Sequence, residues 1–358
     1  MIKQYIKKMI PARILAVWNK WHFDESRIIY KGVSYKDFLD SSIKSSRPNI
    51  SEEEKRGLFK DIKKVYLADG TRPDEYLLYR YYDLSLDERK RYMPRKLKDK
   101  LLLDYYGKDA RRILGQLRDK YEFYLLTKPY FKRGVIKVKD DSDWIIFNSF
   151  CKEHSRFICK IVNGGCGVGV RIEDVTNPAH VKELFEELIN QGSWIVEELI
   201  RQDESISMFN RSSVNTIRFP SFKHGNTIVQ DYPCIRFGRA GNIVDNAGQG
   251  GVFASIDISS GVIITNGFDE LGHEYEAHPD SKVIFKGFKI PKWKELLEEA
   301  RIAHMALPAE QTYVAFDYAL SDKGWAIVEG NWGDFVLQQT SLKRGLKYEF
   351  VKMLEGKQ

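Results

Sequence analysis

No stretch of the chain approaches roughly 18 uninterrupted apolar residues, so no segment is expected to cross a bilayer as a helix. Cysteine is scarce. The four thiols, Cys151, Cys159, Cys166 and Cys234, lack zinc-ligand spacing and read as reduced intracellular cysteines. Acids are missing from the first 22 residues, which carry Lys3, Lys7, Lys8, Arg13 and Lys20. Arg13 interrupts what would have to be the apolar core of a signal peptide, so a cytoplasmic protein is expected. Internal repeats and low-complexity linkers are also absent. What is present describes a globular chain: 43% hydrophobic and 30% charged residues over 358 positions, enough for two or three domains.

The net charge of +7 is unevenly placed. Residues 1–130 hold 30 Lys/Arg against 19 Asp/Glu, and the remainder holds 27 against 31. Such asymmetry suits nucleic acid or an anionic membrane, but a solvated helical surface explains it as well. Tyr79, Tyr81 and Tyr82 beside Arg80 come at helical spacing, which argues for core aromatics over base-stacking platforms. No nucleic-acid partner is therefore expected. In residues 1–22, Ile2, Ile6, Met9, Ile10, Ile14 and Trp18 fall near helical spacing with lysines between them, and Pro11 breaks a continuous rod. This segment has the character of a peripheral contact with an anionic membrane face, with Trp18 and Trp21 at headgroup depth. Packing of the same apolar face on residues 51–118 is the competing reading. The spacing says nothing about oligomeric state.

Residues 1–118 read as mainly helical, with Lys/Arg/Glu/Leu-rich stretches at 51–68 and 84–118. From about residue 119 the texture changes. Short β-branched runs at 135–138, 157–162 and 194–197 alternate with one clear helix, capped by Asn177, opened by Pro178 and closed by Gly192. Strand-like runs dominate 213–264, a helix follows Pro291, and a strand pair spans 313–331. The pattern predicts an α+β fold rich in antiparallel sheet.

Three segments carry chemistry. First, the strand around Lys160 runs into a loop with Gly164, Gly165, Gly167 and Gly169. Backbone N–H groups of such a loop can cradle phosphate while the lysine supplies a point charge. The segment is not a Walker A motif, and a plain glycine-rich hairpin turn would look the same. Second, the apolar strand from Trp194 emerges into Glu197, Glu198 and, further on, Glu204. Its exposed backbone could bind adenine and a carboxylate could take a ribose hydroxyl, although a solvated acidic strand end has the same sequence. Third, the hairpin 313–331 carries Asp317 on one strand and Glu329 and Asn331 on the other. Glu329 and Asn331 share a face, Asp317 can converge on them, and hard oxygen ligands of this kind suit Mg²⁺. Burying two carboxylates without a cation would be costly.

This order of lysine strand, glycine loop, acidic hinge strand and Asp hairpin with Glu-x-Asn resembles the ATP-grasp superfamily over about residues 119–340. More narrowly, 213–218, 244–246 with Gly250-Gly251, His278-Pro279 and 329–331 resemble the sugar-transfer-associated ATP-grasp family, near the teichuronopeptide-synthesis proteins. The resemblance implies an ATP-grasp fold of two α+β lobes gripping ATP, with a helical region at 1–118 and lobes at 119–212 and 213–358. It also implies site residues. Lys120 and Lys160 would bind the phosphates, and Gly164, Gly165, Gly167 and Gly169 would form a lid in which Cys166 is merely small. Glu197, Glu198 and the backbone of Ile200 would meet adenine, and Glu204 the ribose. Asp317, Glu329 and Asn331 match magnesium ligands. Related D-alanine–D-alanine ligases carry an arginine where Ala315 stands here, which leaves Arg218 or Arg236 to act at the transferring phosphate. Asn215, Asn246, Gly250, Gly251 and His278 are substrate-side candidates, with turn-forming roles equally open to His278 and the glycines.

The implied activity is an ATP- and Mg²⁺-dependent ligase that joins a carboxylate to an amine through an acyl phosphate, modifying a uronic-acid-containing surface polysaccharide, such as a capsule, or its precursor. The alternatives are a kinase acting on a hydroxyl and a non-catalytic nucleotide-binding module of a glycan assembly complex.

Overall fold

The computed structural model describes residues 29–30, 33–164, 169–241, 250–333 and 335–357. The basic segment 1–22, lid residues Gly165, Cys166 and Gly167, and Asn246 lie outside the described residues. The chain divides into two compact units. The first comprises residues 1–101, 271–273 and 334–347, and the second residues 102–270, 274–333 and 348–358.

The first unit is helical, with helices at Tyr35–Ser46, Glu52–Asp69, Pro73–Leu78, Leu86–Arg89 and Val336–Ser341. Ser51 caps the longest helix reciprocally with Glu54, and Gly70 closes it in the left-handed region at φ 79°. Tyr76, Tyr79 and Tyr81 are core residues, joined there by Leu39, Ile43, Ile62 and Val336. The 84–118 stretch is not one helix. It breaks into Leu86–Arg89, Arg95–Tyr106 and Ala110–Arg118. Pro94 stands just before the second, its carbonyl accepting from the Lys98 N–H, and Gly107 at φ 55° turns the chain after it.

The second unit carries two antiparallel sheets. Its elements are α1 (Ala110–Arg118), α2 (Lys120–Thr127), β1 (Val135–Val138), α3 (Trp144–Glu153), β2 (Arg156–Ile161), β3 (Val170–Asp174), α4 (Pro178–Gln191) and β4 (Trp194–Glu198). There follow β5 (Thr216–His224), β6 (Thr227–Gln230), β7 (Cys234–Phe237), β8 (Val252–Ser255), β9 (Gly267–Phe268), β10 (Glu274–Tyr275), α5 (Trp293–Ala306), β11 (Tyr313–Ser321) and β12 (Gly324–Asn331). The four-stranded sheet has the order β1-β4-β2-β3, and the larger one β10-β9-β8-β7-β5-β11-β12 with β6 on β5. Asn177 Oδ1 accepts from the Ala179 N–H at 3.0 Å, so α4 starts where its capping residue stands.

Each sheet buries its own apolar face. Phe147, Phe157, Phe185, Leu188 and Val196 fill the space between the small sheet and helices α3 and α4. The larger core gathers Phe123, Phe219, Phe237, Phe285, Phe316 and Trp325. Gly330 on β12 faces the Phe123 ring so closely that a Cβ there would stand 2.2 Å from it, which lets α2 lie against the hairpin. Asp119 caps α2 by accepting from the N–H groups of Tyr121 and Glu122, and the Lys120 N–H donates to Val162 O at 3.3 Å. A long-range backbone bond thus places Lys120 beside the strand that carries Lys160.

Candidate functional site

A cleft of about 710 Å³ opens in the second unit. Lys120, Lys160, Gly164, Glu197, Glu198, Ile200, Glu204, Arg236, Asp317 and Glu329 all line it, together with the apolar side chains of Ile158, Ile161, Val170, Ile172, Leu199 and Val328. Residues from seven separate stretches of chain therefore meet in one concavity of the size and mixed polarity that small ligands use.

Two ion clusters form its buried polar part. In the first, Glu197 on β4 stands opposite Ile158 of β2 and Val135 of β1. Lys160 Nζ lies 3.0 Å from Glu197 Oε1, and Arg133 approaches Oε2 through Nε at 2.9 Å and Nη2 at 2.5 Å. Burial alone would push the Glu197 carboxyl up, but Arg133 and then Lys160 outweigh it and hold the group below its ordinary range. The neighbouring Glu198 accepts from the Gly134 N–H at 3.0 Å and from Lys323 Nζ at 3.0 Å. Lys120 Nζ donates to the carbonyl of Gly164, at the root of the glycine loop.

The second cluster runs across four adjacent strands, β7, β5, β11 and β12. Asp317 on β11 pairs with Arg218 of β5 on one side and Glu329 of β12 on the other. Its carboxylate, fully buried, accepts from Arg218 Nε at 2.6 Å and Nη2 at 3.1 Å, while Arg236 Nη2 lies 3.1 Å from Oδ2. Arg236 in turn donates to Thr216 Oγ1 from Nε at 3.0 Å and Nη2 at 2.6 Å. Burial would raise Asp317, yet Arg218 and Arg236 keep it below the usual carboxylate range. Glu329 goes the other way. Burial and then the adjacent Asp317 raise its pKa, against the pull of Lys120, Lys160 and Arg218.

The expected convergence of Asp317 and Glu329 is therefore present, and Arg218 and Arg236, the two arginines expected at the transferring phosphate, are both bound to Asp317. Two arginines meet Asp317. Two acids thus stand against two arginines, and Glu329 is the acid whose pKa is raised. Asn331 is engaged in part, its Oδ1 accepting from the Gly333 N–H at 2.6 Å. Among the described residues no group of three or more His, Cys, Asp or Glu has metal-binding geometry. Mg²⁺ does not require one, because it holds few protein ligands and completes its shell with phosphate and water. Glu329 and Asp317, paired across the ladder, offer hard carboxylate oxygens of the kind that suit a divalent cation.

The other sequence candidates sit elsewhere. Gly169 adopts φ 72° against Ile161 at the far side of the glycine loop. Asn215 is buried, and its Nδ2 donates to Ile206 O and Asn210 O while its N–H donates to Gln202 Oε1. It braces the loop 210–215, whose Arg211, Ser212, Ser213 and Val214 line the cleft. His278 does not line the cleft. Its ring is fully buried, Nε2 meets Gly238 O at 3.0 Å, and Nδ1 accepts from the N–H groups of Asp280 and Ser281, so it fixes a turn. Gly250 and Gly251 lead into β8 and are likewise outside the lining, with Gly250 at φ 86° in a turn. Sequence reasoning missed Arg133 and Thr216. Neither carries a local signal, because each is recruited by a partner far along the chain.

This combination of an ion-paired lysine strand, a glycine loop and an acidic antiparallel hairpin around one cleft is that of an ATP-grasp protein. A profile of the sugar-transfer associated ATP-grasp family matches residues 134–353, and the chain belongs to that family. No curated protein sequence matches it. Among solved structures it is similar to phosphoribosylamine–glycine ligase from Thermotoga maritima, at 13% identity and a TM-score of 0.45 over 69% of this chain and 56% of that one. It is also similar to N5-carboxyaminoimidazole synthetase from Staphylococcus aureus complexed with ADP, at 13% identity and a TM-score of 0.43 over 68% and 53%. A third is D-alanyl-alanine synthetase A from Vibrio cholerae O1 biovar eltor, at 11% identity and a TM-score of 0.41 over 67% and 65%. The chain thus spans about half to two-thirds of the length of these structures. No helix among the described residues is long and apolar enough to cross a membrane.

Proposed function

We propose that the cleft binds ATP with Mg²⁺ and that the protein activates a carboxylate as an acyl phosphate for capture by an amine. One observation carries this reading: Lys120, Lys160, Asp317 and Glu329, drawn from four separate segments, line a single cleft with an apolar flank. The apolar side chains of Ile158, Ile172, Leu199 and Val328 suit a base, and the lysines suit the phosphates. Glu329, Asn331 and Asp317 would hold Mg²⁺, which would neutralise phosphate charge. Arg236 lines the cleft, and through its bond to Asp317 it would present a fixed positive charge at the reacting phosphate. A lid over residues 164–169 would keep water from the acyl phosphate until the amine arrives.

The family description points to glycans, so the carboxylate we assign is a uronic acid of a surface polysaccharide or its precursor, joined to an amino acid or another amine. The test is ADP release with candidate uronates, with and without amines, and mass spectrometry of the products. Amide formation that depends on both partners is the expected result. A stable phosphate ester on a hydroxyl, formed without any amine, would instead identify a kinase.

A further inference from the structure

Arg133 stands just before β1, and its side chain is 3% exposed. It makes two kinds of contact. On the small sheet, Nε and Nη2 hold Glu197 Oε2, whose companion oxygen takes Lys160. On the large sheet, Nη1 donates to Ile327 O at 2.5 Å, and it also reaches Phe131 O at 3.1 Å. Ile327 is two residues before Glu329 on β12. The Phe131 ring, 4.6 Å from the guanidinium carbon, closes the remaining side.

The guanidinium therefore ties the strand partner of Lys160 to the strand that carries Glu329. Its planar fork fixes both directions at once, which an ammonium on a flexible stem cannot do. We propose that Arg133 is a positioning residue that sets the separation between Lys160 and Glu329 across the cleft. The proposal rests on the ATP reading of that cleft. Without the fork, Glu197 would keep Lys160 as its charge partner and draw that ammonium away from phosphate, and β12 would lose its tie to Glu197. Displacements of about an ångström at such a site change function on the order of a hundredfold.

The test is calorimetric ATP binding in the presence of Mg²⁺, with the unfolding midpoint of each protein as the control for folding. Arg133→Lys keeps the charge and removes the fork. The double substitution Arg133→Gln with Glu197→Gln leaves no buried acid unpaired, so it remains informative where Arg133→Lys does not fold. Each is expected to bind ATP at least about tenfold more weakly than wild type. Binding within about twofold of wild type in either folded variant, whatever its midpoint, overturns the positioning role and leaves Arg133 a stabilising residue. If wild type itself does not bind ATP, the functional reading of the cleft fails instead, so the two failures are distinguishable.

Discussion

Glu197 and Asp317 occupy comparable positions on the two sheets of the second unit. Both are on interior strands, both are almost fully buried, and each meets two protein cations. The difference lies beside them. Glu197 has Glu198 as its chain neighbour, but that carboxylate is separately satisfied by the Gly134 N–H and Lys323. Asp317 has Glu329 directly across the ladder, on the same hairpin, with a raised pKa. The first cluster sets two cations against one acid, and the second sets two arginines against two acids, one of them with a raised pKa. An acid outnumbered by its cations is held in place, and a second acid beside the first is where an external cation gains most.

Breaking the Glu197 cluster should have the largest effect. Arg133→Met leaves Glu197 with Lys160 alone and is expected to cost about 3–5 kcal/mol of stability by chemical denaturation. A loss under about 1 kcal/mol would show that Glu197 is not sealed from water as described.

Lys160→Ala should weaken ATP binding by about 10- to 100-fold, the worth of a hydrogen bond to a charged group, while the protein stays folded. Calorimetry reads it directly. An unchanged Kd would return the lysine strand to the plain hairpin that the glycine loop alone allows.

Removing the second acid of the Asp317 cluster should act in the opposite sense. Glu329→Gln removes like-charge repulsion with Asp317, so the nucleotide-free protein is expected to be about 1 kcal/mol more stable at neutral pH. Destabilisation would mean that Lys120, Lys160 and Arg218 already balance the pair.

The smallest effect sharpens the comparison by pH. Glu197 has a lowered pKa, so between its folded value and 4.5 the unfolded chain binds more protons. Its contribution is present above 4.5 and is lost as pH falls. Glu329 has a raised pKa, so between 4.5 and its folded value the folded chain holds a proton that the unfolded chain has released. Its contribution is present below 4.5 and is lost as pH rises. Glu197→Gln should flatten the acid limb of the stability profile and Glu329→Gln the limb above it. Profiles that flatten on the same side would contradict the assignment of opposite shifts.

Local signals carried much of the fold. Asn177, Pro178 and Gly192 mark the ends of α4, and the turn inside 313–331 marks the hairpin, each through near neighbours in sequence. The 84–118 stretch shows the limit of such reading: its helical composition does not mark the breaks at 90–94 and 107–109. At the site, Asp317 and Glu329 were legible because a hairpin brings near neighbours in sequence face to face. Arg133 was not, since Lys132-Arg133-Gly134 reads as loop charge until the pairing of β1 with β4 and the approach of β12 surround it. Asn215 and His278 illustrate the converse. The family resemblance offers them as substrate contacts, but their side-chain hydrogen bonds are to loop backbone.

The most direct test of the account is the Mg²⁺ dependence of ATP binding in wild type and in Glu329→Gln, measured by calorimetry. The wild type is expected to bind ATP with an affinity that rises on adding Mg²⁺, and Glu329→Gln to lose most of that rise while remaining folded. A wild-type protein with no ATP binding, or a Glu329→Gln variant with the full Mg²⁺ response, would contradict it.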